Sequence, residues 1–187
     1  MKVPDSGMPE ETYWESLLDV PLILDRLQID SLVGDVVEIG CGYGTFTVPV
    51  ARRIRGTVNA FDLDPEMAAR TNARVITQGA NNVTVHLRDV IADGFGLPPE
   101  SCDAILLFNI LHFAQAERLV QSAAKLLRPG GRVLAIHWRS DVPTPRGPSL
   151  SVRPRPADAQ KWADAGELVL TETMELPPWH FGVVLTK

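Results

Sequence analysis

The chain has 187 residues, 45% of them hydrophobic and 22% charged, with a formal net charge of -5. That length and apolar content fit one domain with its own core and exclude a disordered chain. The negative balance argues against a general nucleic-acid binder, and two distant cysteines, Cys41 and Cys102, argue against a disulfide framework or a zinc site. The opening segment MKVPDSGMPEE has no apolar run after its lysine, and no stretch is long and apolar enough to span a bilayer. The expectation is a cytoplasmic protein with no membrane partner, its oligomeric state left open.

The segment PEETYWESLLDVPLILDRLQI reads as helix, with Trp14, Leu17 and Leu18 on one face and Pro21 opening a second helical segment. DVVEIG (Asp35 to Gly40) is a short apolar run and reads as a buried strand. TFTVPVARRI follows as a helix, with Pro49 awkwardly near its start. TVNAFD (Thr57 to Asp62) is a second strand. DPEMAARTNARVITQG is a helix with Asp64 as N-cap, Pro65 at its first position and Gly79 near its end. VTVHLRD and CDAILLFN are the third and fourth strands, the latter too apolar to have an exposed face. QAERLVQSAAKLLRPGG reads as a helix stopped by Pro129 and the glycine pair, and RVLAIHW as the fifth strand.

Strands alternating with helices predict a parallel sheet covered on both faces, a doubly wound α/β architecture. The alternation breaks after Trp138. RSDVPTPRGPSLSVRPRP reads as a long ordered loop, followed by a short helix, ADAQKWADAG, and two strands joined through PPW as a hairpin. The end of the sheet is therefore expected to be antiparallel. The whole chain, 1–187, reads as one domain, with residues 1–33 as a helical lid segment and 139–156 as a Pro/Arg-rich loop.

VVEIGCGYGTFT places Gly40, Gly42 and Gly44 at the end of the first strand. Ligands of open α/β sheets bind beyond the carboxyl ends of the strands, and bare backbone there lets a ligand approach. A dinucleotide fingerprint needs its third glycine where Thr45 stands. Glu38 at the strand end is unhelpful to a pyrophosphate and suits a ligand with an ammonium group.

VVEIGCGYGTFT resembles the first motif of class I S-adenosylmethionine-dependent methyltransferases. VNAFDLDPEM, HLRDV, CDAILLFNILHF and LLRPGGRVLAI resemble that family's later motifs, in order. The resemblance runs over roughly residues 35–187 and implies a mostly parallel, seven-stranded, Rossmann-like sheet whose last strand is antiparallel. It implies S-adenosylmethionine as cofactor and S-adenosylhomocysteine as product, held by Glu38, Gly40, Gly42, Gly44, Asp62, Leu63, Asp89, Val90 and Asn109. Asp62 would hold the ribose hydroxyls and Asp89 the adenine amino group, with Val90 beside the base. An acid at a strand end also caps backbone, the alternative for Asp89.

The acceptor is expected at the rim beyond the fourth and fifth strands. His112 is the candidate general base, against a packing role. Cys41 reads as a small loop residue rather than a nucleophile. Tyr13, Trp14, His137, Trp138, Arg139, Arg146 and Arg153 are the candidate substrate residues, the arginines fitting an anionic acceptor. For Trp14, His137 and Trp138, a core or docking role competes with substrate contact. FNIL lacks the Asn/Asp-Pro-Pro-aromatic motif of amide and exocyclic amine methylators, which disfavours DNA adenine or protein glutamine as the target. Asn109 and HWRSD occupy the places where a magnesium site would need acids, so no metal is expected. The reading is a methyltransferase acting on a small molecule. A non-catalytic S-adenosylmethionine-binding protein is the alternative, and an NAD-dependent oxidoreductase is disfavoured by the glycine spacing.

Overall fold

A computed structural model describes residues 8–187; the first seven residues of the expected 1–33 lid segment lie outside the described residues. The elements, in chain order, are α1 (Glu11–Ser16), α2 (Val20–Arg26), β1 (Val36–Ile39), α3 (Thr47–Arg53), β2 (Val58–Asp62), α4 (Pro65–Thr77), β3 (Val83–Leu87), β4 (Cys102–Phe108), α5 (Ala116–Ala124), β5 (Leu127–Trp138), α6 (Ala159–Gly166), β6 (Val169–Leu176) and β7 (His180–Thr186). One sheet contains all seven strands, in the order β3-β2-β1-β4-β5-β7-β6. β1 to β5 are parallel neighbours, and β7 runs antiparallel to both β5 and β6. The doubly wound, mostly parallel expectation and the antiparallel hairpin both hold.

Alternation along the strands builds two cores. Val37, Ile105, Leu107, Val133 and Ala135 pack with Leu119 and Val120 of α5 and Trp162 and Ala163 of α6. Their neighbours Val36, Ala104, Leu106, Leu134 and Ile136 pack with Ile23 and Leu24 of α2 and Val48, Val50 and Ala51 of α3 on the other face. Residues one apart on a strand point to opposite faces, so a strand covered on both sides must be apolar throughout. Each fully buried leucine contributes about 1.5–3 kcal/mol from leaving water.

Local chemistry sets the helix starts. Asp64 caps α4 by accepting from the Glu66 N–H at 3.0 Å, and Pro65 follows at the first helical position. Pro49 falls within the first turn of α3, where its missing N–H has no intrahelical partner to lose. The boundary between α5 and β5 differs from expectation. The helix ends at Ala124, and the strand already begins at Leu127, which pairs with Cys102. The next pair is Ala104 with Arg132, so Arg128 to Gly131 form a bulge within the strand. Pro129 and the glycines mark that bulge instead of stopping a helix.

Candidate active site

The sheet order places β1 between β2 and β4, so the chain reverses its winding at β1 and β4. That switch point opens a crevice beyond the carboxyl ends of the two strands. β1 runs into Gly40, Gly42 and Gly44, all with left-handed backbone, at φ of 76°, 57° and 73°. At Gly40 a side chain is doubly excluded, because a Cβ there would lie 2.9 Å from Ile110 Cγ2.

Two carboxyl groups stand beneath this loop, Glu38 buried and Asp62 partly buried. Glu38 accepts a hydrogen bond from the Thr47 hydroxyl at 2.6 Å. Burial, opposed by that hydroxyl and reinforced by the nearby Asp62 charge, pushes the Glu38 pKa up to about 8. Asp62, at the end of β2, accepts from the Gly42 N–H and the Asp64 N–H, both at 2.9 Å. Burial also raises its pKa, despite those backbone donors. Asp62 therefore ties β2 to the glycine loop, a role beyond the ligand contact expected of it. Among the described residues, neither Glu38 nor Asp62 forms a salt bridge. Asp89 caps its own turn, its Oδ1 accepting from the Ile91 and Ala92 N–H groups at 3.0 and 3.1 Å.

Just past the end of β4 stands Asn109, held in the left-handed region at φ 59°. Its Oδ1 is buried without a hydrogen-bond partner among the described residues, while Nδ2 lies 3.4 Å from His180 Nε2. A buried acceptor left unsatisfied costs about 1–3 kcal/mol. His112 Nδ1 lies 3.0 Å from His137 Nε2. Both rings are buried, and burial is the main cause that pushes His137 down to about 3. The Trp138 ring lies 4.2 Å from His180 and meets Trp14 edge-on at 6.2 Å.

α1 lies across the site. Arg74 of α4 pairs with Glu15 and, at 3.5 Å, with Glu11, and the Tyr43 hydroxyl donates to the Pro9 carbonyl at 2.7 Å. The 139–156 loop is held by Arg153. Its guanidinium donates to the carbonyls of Pro148, Arg139 and Arg146 and to the Thr144 hydroxyl, at 2.7 to 3.2 Å. Gly147 sits against it, where a Cβ would meet Arg153 Nη2 at 2.8 Å and Trp138 Cγ at 2.9 Å.

These parts enclose a cavity of about 390 Å³. It is lined by Glu38, Gly40, Gly42, Asp62, Leu63, Asp89, Val90 and Asn109 from the expected cofactor set, and by His112, Trp14, Trp138 and Arg146 from the acceptor set. Gly44 faces Thr71 of α4 instead. Tyr13 is exposed, His137 lies behind His112, and Arg139 pairs with Asp141 and Glu175, so none of the three lines the cavity. Arg153 is likewise outside it, consumed by the loop it ties. Cys41 lines the cavity but is buried, and burial pushes its thiol pKa up, so it remains protonated. Met8, Met67, Phe113 and Pro148 also line it, and nothing in their sequence pattern marks them. Among the described residues no group of three His, Cys, Asp or Glu side chains is placed to hold a metal ion.

A profile of the family described as "Methyltransferase domain" matches residues 36–131. The chain belongs to that family, within the class I S-adenosylmethionine-dependent methyltransferases. It is 34% identical over 100 residues to a ubiquinone biosynthesis O-methyltransferase of Rhizobium johnstonii, a match taking in 52% of this chain and 38% of the relative. It is 31% identical over 102 residues to the nocamycin O-methyltransferase of Saccharothrix syringae, covering 53% of this chain and 36% of the relative. The matched part thus spans well under half the length of these curated relatives. The crystal structure of a SAM-dependent methyltransferase from Aquifex aeolicus superposes with a TM-score of 0.82 at 18% identity, covering 95% of this chain and 93% of that one.

Proposed function

We propose that this protein transfers the methyl group of S-adenosylmethionine to a small-molecule acceptor. One observation carries the reading. A single cavity joins two carboxyl groups that form no salt bridge among the described residues, and an unsatisfied amide oxygen, at the glycine loop, to a rim of His112, Trp138 and Arg146. The first part fits the cofactor. Glu38 and Asp62 offer negative charge or acceptors to an ammonium group and ribose hydroxyls, Asp89 and Val90 would hold the base, and Asn109 Oδ1 would accept from the ligand. When bound, the cofactor supplies a methyl already activated by the positive sulfur.

The chain's own work is alignment and exclusion of water. Trp14 and Pro148 line the cavity from the lid and the loop, and a nucleophile held in line gains several kcal/mol, up to about 10, from proximity alone. Trp14 and Trp138 suit a partly apolar acceptor, and Arg146 is the loop arginine that lines the cavity, so it is the one assigned to an acidic group on it. Asn109, His112 and Trp138, rather than acids, occupy the ends of β4 and β5, which supports a reaction without a metal. The named O-methyltransferase relatives support a hydroxyl as the atom methylated.

Incubation with methyl-labelled cofactor and a panel of small phenols and hydroxy acids tests this. Label recovered in an acceptor supports the reading. Binding of S-adenosylhomocysteine without transfer to any metabolite fraction supports a non-catalytic binding protein instead.

A further inference from the structure

Between Trp138 and Pro156 the described chain forms no helix or strand, yet Arg146, Gly147 and Pro148 line the cavity. Arg153 holds them there with all three of its guanidinium nitrogens. Nε donates to the Pro148 carbonyl at 2.7 Å and Nη2 to the Arg146 carbonyl at 3.2 Å. Nη1 donates to the Arg139 carbonyl at 2.8 Å and to the Thr144 hydroxyl at 2.7 Å, and that hydroxyl donates in turn to the Arg146 carbonyl at 2.7 Å. One planar fork thus gathers four points spread over residues 139–148, a geometry that the compact ammonium of a lysine does not reproduce. The Arg139 N–H donates to the Trp179 carbonyl at 2.8 Å, which fixes one end of the segment to the β6–β7 hairpin. Gly147, at φ 123°, packs directly on the guanidinium and on the buried Trp138 ring, where a Cβ would meet Nη2 at 2.8 Å and Trp138 Cγ at 2.9 Å. Arg153 forms no salt bridge among the described residues, so charge-assisted bonds to neutral oxygens offset the cost of removing its cation from water.

We propose that Arg153 is a positioning residue that sets the affinity for the acceptor without touching it, by clamping residues 139–148 so that Gly147 and Pro148 stand as a ready-made wall of the cavity. What the wall binds rests on the methyl-transfer reading, but the clamp itself does not. A wall in place before binding spares the acceptor the cost of ordering a loop. With the clamp cut, the acceptor binds only in the fraction of molecules whose wall is in place, and its apparent affinity falls by that fraction. At saturating acceptor the wall is in place in every complex, so kcat is kept. The glycine loop lies outside the clamp, so cofactor affinity is kept as well. Arg153 therefore acts on one of the two ligands and on binding rather than on the chemical step.

Amide hydrogen exchange and steady-state kinetics on the full chain test this in Arg153→Ala and Arg153→Lys, with the phenol or hydroxy acid that takes label as acceptor. In Arg153→Ala, exchange over residues 140–148 should quicken while the glycine loop stays unchanged. The acceptor KM should rise about tenfold, as it would if the wall were in place a tenth of the time, with kcat and S-adenosylhomocysteine affinity unchanged. Arg153→Lys, which keeps the charge but not the fork, should recover only part of the loss. Unchanged exchange in Arg153→Ala overturns the proposal, and so does quicker exchange with an unchanged acceptor KM, or a fall in kcat or cofactor affinity as large as the rise in KM. Full recovery in Arg153→Lys overturns it too, since charge alone would then suffice. In the wild-type protein the Arg153 guanidinium hydrogens should give separate, slowly exchanging NMR signals; one averaged, fast-exchanging signal overturns the clamp even if neither variant folds. Failure of the wild-type protein to label any acceptor would instead overturn the methyl-transfer reading, and the exchange and NMR results would still decide the clamp.

Discussion

The two ends of the sheet treat their acids in opposite ways. At the amino end, Arg128 bridges Asp35 and Asp103 at 2.9 and 2.7 Å, and Thr57 donates to Asp35 as well. Burial pushes the Asp35 pKa up, but the Arg128 and Thr57 hydrogen bonds outweigh it and hold the group below its usual range. At the carboxyl end, Glu38 and Asp62 are more deeply buried and have no cation partner among the described residues, and burial pushes both up. One end closes its charges within the fold. The other holds acids that meet no cation among the described residues, and in the proposed function a ligand balances them.

The largest effect is expected at the glycine loop. Gly40→Val puts a side chain on a left-handed backbone and against Ile110, and should abolish S-adenosylhomocysteine binding in calorimetry. Gly42, whose added Cβ would meet only Met8 Cε at 3.4 Å, should tolerate alanine better than Gly40 does. Retained binding in Gly40→Val would separate the loop from the ligand.

Asp62→Ala removes the hydrogen bonds to the Gly42 and Asp64 N–H groups along with any ligand contact. Cofactor affinity should fall by about 1.5–3 kcal/mol, the range for hydrogen bonds to a charged group. At the opposite end, Arg128→Ala should lower stability by about 1 kcal/mol, since the pair is a third or more exposed, and leave ligand affinity unchanged. If Arg128→Ala weakened binding as much as Asp62→Ala, the division between the two ends would fail.

The ends should also differ in the sign of their pH dependence. Asp35, with its pKa depressed in the folded state, contributes stability that is present above its ordinary value near 3.8 and is lost as pH falls through the lowered value. Glu38 is protonated in the fold up to about pH 8 but ionises near 4.5 when unfolded. Its contribution is full below about 4.5 and is lost as pH rises through 8, and the raised Asp62 adds to it in the same sense. Denaturant titrations of the ligand-free protein should show that alkaline loss reduced in Glu38→Gln.

Much of this contrast was legible in the sequence, for physical reasons. The glycine spacing, Glu38, Asp62 and the strand pattern are local signals, and they led to the cavity. Asp64 and Pro65 announced α4 because capping chemistry is local too. What the sequence hid depends on folding back. PGG after Leu127 reads as a stop, because only pairing with β4 shows that it is a bulge. Arg153 reads like the other loop arginines, because the carbonyls that occupy it lie 5 to 14 residues away along an irregular chain. The His112–His137 contact joins two strand ends 25 residues apart, and neither histidine carries a local mark of the other.

The central claim is that the carboxyl end of the sheet holds its acids for a cationic ligand. Calorimetry of S-adenosylhomocysteine binding near pH 7, repeated in buffers of different ionisation enthalpy, tests it most directly. Glu38 is protonated before binding at that pH and should ionise against the ligand's ammonium group. The account predicts binding with proton release, seen as a heat that varies with the buffer, and no such variation in Glu38→Gln. Absence of binding, or wild-type binding with a heat independent of the buffer, would contradict it.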